Sequence, residues 1–152
     1  MKKINTYAGY ICLKPINGVI FPSYAQNQIN KEYIETSLNG KFFLSTNENM
    51  YSNNDIVLNS LIREKNNLKG IVMLSAFSLP KKMNRRNIIY KNLLVNKKNL
   101  YFVFEEFHLK NKKDINYIEE YLLFREDFFT KIVNKLSNEE KKIVQNKGWN
   151  FI

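Results

Sequence analysis

The sequence predicts a three-layer α/β domain built on a four-stranded, mainly parallel sheet that ends in a helical tail. Three observations carry that expectation. Gly70-Ile-Val-Met-Leu-Ser-Ala-Phe-Ser-Leu-Pro80 is an unbroken apolar run closing in hydroxyl residues and a proline, and strands covered on both faces read as continuous hydrophobic runs. Short apolar runs alternate along the chain with longer stretches of helical apolar spacing, the order that builds parallel sheets through crossover helices. The chain has 152 residues, 44% of them hydrophobic, with 11 Phe and 9 Tyr, enough for one core and short for two.

Each element follows from local pattern. Thr6 to Leu13 reads as the first strand, stopped by Lys14-Pro15-Ile16-Asn17-Gly18. Pro22 suits the first turn of a helix through about Leu38, which Asn39-Gly40 can close in the left-handed region. Lys41 to Thr46 is a second strand, ending in Asn47-Glu48-Asn49. Asp55 is placed as N-cap or first-turn acid of a helix reaching Asn66, with Ile56, Leu58, Leu61 and Ile62 on its buried side. Gly70 to Ala76 is the third strand. Met83, Ile88, Ile89, Leu93 and Leu94 give the next helix an apolar stripe, and Asn99 to Glu106 is the fourth strand. Asp114 opens a long helix through Leu136, with a break expected near Phe124 to Asp127. Ser137-Asn-Glu-Glu140 has the capping-box pattern of a last polar helix running towards Gly148-Trp149. Residues 1–122 are thus the α/β domain, and 123–152 a helical extension of it.

The formal charge of +10 raises the question of a polyanion partner. Arg63, Arg85, Arg86 and Arg125 are the only arginines among 24 basic residues, whereas base reading and bidentate phosphate contacts favour arginine. Nucleic-acid binding is therefore disfavoured. A lone cysteine, Cys12, and a lone histidine, His108, support neither a disulfide scaffold nor a metal site. Cys12 is expected in the core and His108 in a loop or on the surface. The lysines near the start precede no apolar segment of signal-peptide length, and no stretch approaches the roughly 20 residues of a membrane span. A soluble, cytoplasmic protein is expected. Glycine spacing fits neither a dinucleotide fingerprint nor a P-loop, and no cofactor is expected.

Ligands of open α/β sheets bind beyond the strands' carboxyl ends. Lys14, Asn17, Glu48, Ser75, Ser78, Glu105 and Glu106 converge there from four segments. Glu48, Glu105 and Ser75 are the candidate catalytic residues. The two carboxyls could act as acid and base if their environments differ, or could hold sugar hydroxyls; the plainer alternative is that each caps a helix or pairs with a lysine. Ser75 could be a nucleophile only with a base beside it, and otherwise donates a hydrogen bond to ligand or backbone. Lys14, Pro15, Asn17, Gln26, Asn27, Phe77 and Arg86 are the candidate substrate-binding residues. Gln26 and Asn27 either reach the crevice or cap local backbone, and Arg85-Arg86 either meets an anion at the helix start or faces solvent.

Gly9-Tyr10, Lys14-Pro15-Ile16-Asn17-Gly18, Pro22, Gln26-Asn27, Glu48, Gly70 to Met73, Ser75-Ala-Phe77, Leu79-Pro80, Arg86, Tyr90 and Glu105 follow in an order that resembles the sporadic carbohydrate cluster protein family. The match spans about residues 8 to 122. The resemblance implies a bacterial protein of surface-polysaccharide biosynthesis whose ligand is a sugar phosphate or nucleotide sugar, either as an enzyme or as a non-catalytic subunit of a glycan-synthesis enzyme. That family usually has arginine and phenylalanine where this chain has Lys14 and Ile16, and lysine lacks the bidentate fork. The order of elements is also similar to the catalytic domain of serine recombinases, which implies a resolvase-like or flavodoxin-like sheet. The nucleophilic serine of that family has no counterpart in Cys12-Leu13-Lys14-Pro15, so strand exchange is not implied. Sheet edges leave room for a homodimer, and a protein partner could use the aromatic residues and the Trp149 tail.

Overall fold

Strands β1 (Thr6–Ile11), β2 (Lys41–Asn47), β3 (Leu68–Met73) and β4 (Asn99–Phe102) run parallel, and β5 (Phe107–Leu109) returns antiparallel to β4, in the spatial order β2-β1-β3-β4-β5. The computed structural model describes residues 4–48, 54–65 and 67–146. Asn49, Asn66 and the Gly148-Trp149 terminus, all part of the expectations above, lie outside the described residues.

The fifth strand corrects the expected count of four. The fourth strand does not continue to Glu106: the Val103 and Phe104 amides donate to the Met73 and Leu74 carbonyls at 3.0 and 2.9 Å, and Glu106 turns the chain at a φ of 49°. No glycine or proline announces that reversal, which is why local pattern misses it. His108 consequently lies on β5, half-buried, with its ring stacked on Tyr101 at 5.3 Å between centroids.

Side chains alternate across the sheet, as period two requires. Ala8, Tyr10, Ile71, Met73, Leu100 and Phe102 pack with Leu58, Ile62, Ile89, Leu93 and Ile118 of helices α2 (Ile56–Arg63), α3 (Met83–Asn96) and α4 (Lys112–Lys135). Tyr7, Val72 and Tyr101 meet Ile34 on the opposite face, in the π-helical segment Tyr33–Ser37 that extends helix α1 (Ser23–Glu32). Continuous burial of β3 from Gly70 to Met73 follows from cover on both faces.

Ends of the elements are settled by specific partners. Asn39 ends the first helical segment at a φ of 45°, and Lys97 ends α3 at 52°. Asn111 Oδ1 accepts the Lys113 and Asp114 amides while Asp114 Oδ2 accepts those of Lys110 and Asn111, so α4 opens on a reciprocal cap. α4 then runs unbroken through Phe124 to Asp127, where a break was expected. Helix α5 (Asn138–Asn146) opens on the predicted capping box: the Ser137 amide donates to Glu140 Oε2 at 2.8 Å and the Glu140 amide to Ser137 Oγ at 3.2 Å.

Candidate functional site

The chain leaves β1 for β2 on one side and later returns to β3 on the other, so the connections diverge between β1 and β3. Crevices form at such switch points. Two adjoining clefts open there. The first, about 260 Å³, is lined by Tyr10, Cys12, Glu48, Asn54, Asp55, Ser78, Lys82 and Arg85 among others. The second, about 390 Å³, takes one wall from the Asn17-Gly18 turn and Ala76, and another from Leu122, Leu123, Arg125 and Glu126 of α4. Lys14, Pro15, Phe77, Leu79, Pro80 and Lys81 border both.

The loop after β1 is held by buried amides. Gln26, fully buried, accepts the Cys12 amide through Oε1 at 2.9 Å and donates Nε2 to the Cys12 and Phe21 carbonyls at 2.7 and 2.8 Å. One turn on, Asn30 Nδ2 donates to the Tyr10 carbonyl. Asn27 accepts from Ser45 of β2. Gln26 and Asn27 therefore serve the scaffold, and neither borders a cleft. At the loop's tip, Ile16 and Val19 exchange backbone hydrogen bonds around Asn17 (φ 50°) and Gly18 (φ 79°). Two successive positive φ values mark the turn class that Asn-Gly favours, and they set Asn17 on the second cleft.

The loop after β3 is held by two carboxylates from elsewhere. Ser75 Oγ donates to Glu105 Oε1 at 2.6 Å, Glu105 Oε2 accepts the Ala76 amide, and Ser75 Oγ accepts the Phe77 amide. Ser75 is 2% exposed, and neither it nor Glu105 borders a cleft; the structure gives them to one another. Arg86 donates Nε and Nη2 to the two Glu119 oxygens at 2.7 and 2.6 Å, and Nη1 to the Pro80 and Lys81 carbonyls. Tyr90 adds its hydroxyl to Glu119 Oε1 at 2.5 Å. Arg86 touches the second cleft, but its fork is directed at Glu119 and at the Pro80-Lys81 backbone. Arg85 likewise meets Asp55 through two 2.8 Å bonds, so neither arginine simply faces solvent.

Asp55 holds the N-cap position of α2 without a side-chain cap bond. Its carboxylate goes to Arg85, and Glu48, arriving from the end of β2, caps the helix by accepting the Leu58 amide at 2.9 Å. The Tyr10 hydroxyl is pushed well above its ordinary pKa by burial and then by the Glu48, Cys12 and Asp55 charges; it is a neutral donor at the first cleft. Burial also raises the Cys12 thiol, against weaker opposing effects of the Lys14 carbonyl and Ser78. Cys12 stands just beyond β1, half-buried on the cleft wall rather than in the core. No cluster of His, Cys, Asp or Glu suited to a metal occurs among the described residues.

Of the residues picked out by sequence as site candidates, Lys14, Pro15, Asn17, Glu48, Phe77, Ser78, Arg85 and Arg86 border the clefts. Sequence reasoning missed Tyr10, Lys81 and the α4 wall. The Gly9-Tyr10 pair and Lys81 beside Pro80 were available signals; nothing local connects Leu122 or Arg125 to loops a hundred residues earlier.

No family model matches the chain, and no curated protein matches it. Among solved structures, the N-terminal catalytic domain of TP901-1 integrase is similar, with a TM-score of 0.53 at 13% identity over 84% of this chain and 98% of that one. The fold is resolvase-like. At that identity the likeness concerns the α/β fold and not the chemistry. No described helix is long and apolar enough to cross a membrane.

Proposed function

We propose that the crevice between the β1 and β3 loops recognises a phosphorylated or nucleotide-linked sugar in surface-glycan biosynthesis. The observation that carries this reading is the pairing, at a switch point, of cationic and hydroxyl-binding groups: Lys14 and Lys81 stand between the clefts, with Tyr10, Glu48 and Asn54 beside them. Lysine ammonium groups suit phosphate oxygens, and a carboxylate with a spare oxygen suits sugar hydroxyls. The glycan context rests on the ordered residues quoted above. Lys14 and Lys81 take the anion, Glu48 engages a hydroxyl or moves a proton, and Asn17 and Phe77 orient the ligand. Arg86, Ser75, Glu105, Gln26 and Asn27 hold the loops that carry those groups.

Thermal unfolding against sugar phosphates and nucleotide sugars tests the reading. A ligand at 100 times its Kd stabilises by about 2.7 kcal/mol, worth roughly 5–11 °C in a domain of this size. That shift is expected for one ligand class and is expected to vanish in Lys14→Ala and Lys81→Ala. Glu48→Gln, whose amide oxygen can still cap Leu58, should fold normally and lose affinity. Absence of any shift across both classes would reject the proposal.

A nucleic-acid reading is favoured by the +10 charge and by the neighbour being an integrase domain. It predicts an affinity that falls steeply with salt. Cys12-Leu13-Lys14-Pro15, directly after β1, include no serine, and Arg85 and Arg86 engage carboxylates, so we place it second. A gel-shift series at two salt concentrations separates the two.

A further inference from the structure

The two lobes of the crevice differ in chemistry. The β1–α2 lobe presents Tyr10, Glu48, Asn54 and the loop residues around Cys12 and Ser78, which suit a hydroxyl-rich group. The α4 lobe presents Leu122, Leu123, Ala76 and the Phe77 ring. The Arg125 guanidinium lies over the Phe77 ring, 5.7 Å from its centroid. Nucleobases pack against apolar side chains and guanidinium planes, and this wall offers both. The β1–α2 lobe, at about 260 Å³, is smaller than the about 300–1,000 Å³ typical of ligand sites, and it adjoins the α4 lobe of about 390 Å³, so a ligand with two chemically different halves can span both.

Resting on the reading above, we infer that the ligand is a nucleoside diphosphate sugar laid across both lobes, with its base and ribose in the α4 lobe, its diphosphate over Lys14 and Lys81, and its sugar in the β1–α2 lobe. A sugar monophosphate would leave the apolar lobe unfilled. The reverse orientation would set the sugar's hydroxyls against leucines.

Calorimetric titration of the whole chain with sugar 1-phosphates, nucleoside diphosphates and the corresponding nucleotide sugars tests this. Nucleoside diphosphates are expected to bind, and sugar 1-phosphates to bind at least about tenfold more weakly than nucleotide sugars. Leu123→Glu, at a position 51% exposed and tolerant of charge, is expected to weaken nucleoside diphosphate binding by about tenfold and to leave sugar 1-phosphate binding unchanged. Cys12 borders the β1–α2 lobe and not the other, so nucleotide sugars are expected to protect it from alkylation while nucleoside diphosphates do not. Sugar 1-phosphates binding as tightly as nucleotide sugars, with Leu123→Glu silent, would overturn the inference and leave the proposed function standing. Binding by none of the three classes would overturn both.

Discussion

Glu119→Ala is expected to be among the most destabilising single substitutions at the edge of the site. The Arg86 and Glu119 side chains are 9% and 12% exposed and meet through two short bonds. Removing the carboxylate leaves a guanidinium out of water with two backbone carbonyls and no counter-charge, and also orphans the Tyr90 hydroxyl. Breaking one side of a buried pair costs about 3–5 kcal/mol, which for a chain of this length lowers Tm by roughly 6–20 °C. Burial alone would raise the Glu119 pKa, but the hydrogen bonds from Arg86 and Tyr90 outweigh it and hold the carboxyl below its ordinary value. The sign follows: a depressed carboxyl contributes fully above the unfolded value of about 4.3 and loses its contribution as pH falls through the folded value. Urea unfolding at pH 7 and at pH 3 reads both effects, and the gap between wild type and Glu119→Gln should narrow in acid. Arg86→Met with Glu119→Leu removes both charges and should recover most of the loss. If Glu119→Ala costs less than about 1 kcal/mol, or the double variant is no better than the single, the pair is not the strut described here.

Three further outcomes are expected. A Cβ at Gly70 would lie 2.5 Å from the Asn99 carbonyl, a backbone atom pinned in the sheet, whereas at Gly9 it would lie 2.6 Å from Ser45 Oγ, which can rotate; Gly70→Ala should cost about 1–3 kcal/mol and Gly9→Ala distinctly less, by denaturant midpoint. Gln26→Ala strips three hydrogen bonds from the β1 loop and should cost about 2–4 kcal/mol, with faster amide hydrogen exchange at Cys12; unchanged exchange would show that the loop does not depend on it. Cys12, the single thiol, is raised by burial and should alkylate more slowly at pH 7.5 than a free cysteine, gaining rate as pH rises beyond about 8.5.

Much of the scaffold was legible because its causes are local. Apolar runs, helical spacing, the Asn17-Gly18 turn and the Ser137–Glu140 capping box act over a few residues, so the alternation of strands and helices could be read in order. The face on which the clefts open was legible too, since a parallel sheet collects its loops at the carboxyl edge wherever those loops fall in sequence. Glu105 and Ser75 looked like site residues because they follow strands, but their hydrogen bond joins residues thirty apart and turns both inward. Glu48 could be guessed to cap something, but not that it would cap α2 while Asp55 turned to Arg85.

The sequence by itself determined the α/β class, the order of the four parallel strands and their helices, and the place where loops would gather, because hydrophobic period and turn chemistry are properties of neighbours along the chain. Only the tertiary structure decided which polar groups face the crevice and which face each other. A buried Arg86 must find a carboxylate, and Glu119 supplies it from a helix 33 residues away; α4, once packed over β5 and the loop after β3, supplies the second wall of the crevice. Those partnerships are fixed by the cost of leaving charge and apolar surface unmatched, which is paid in space and leaves no local mark in the chain.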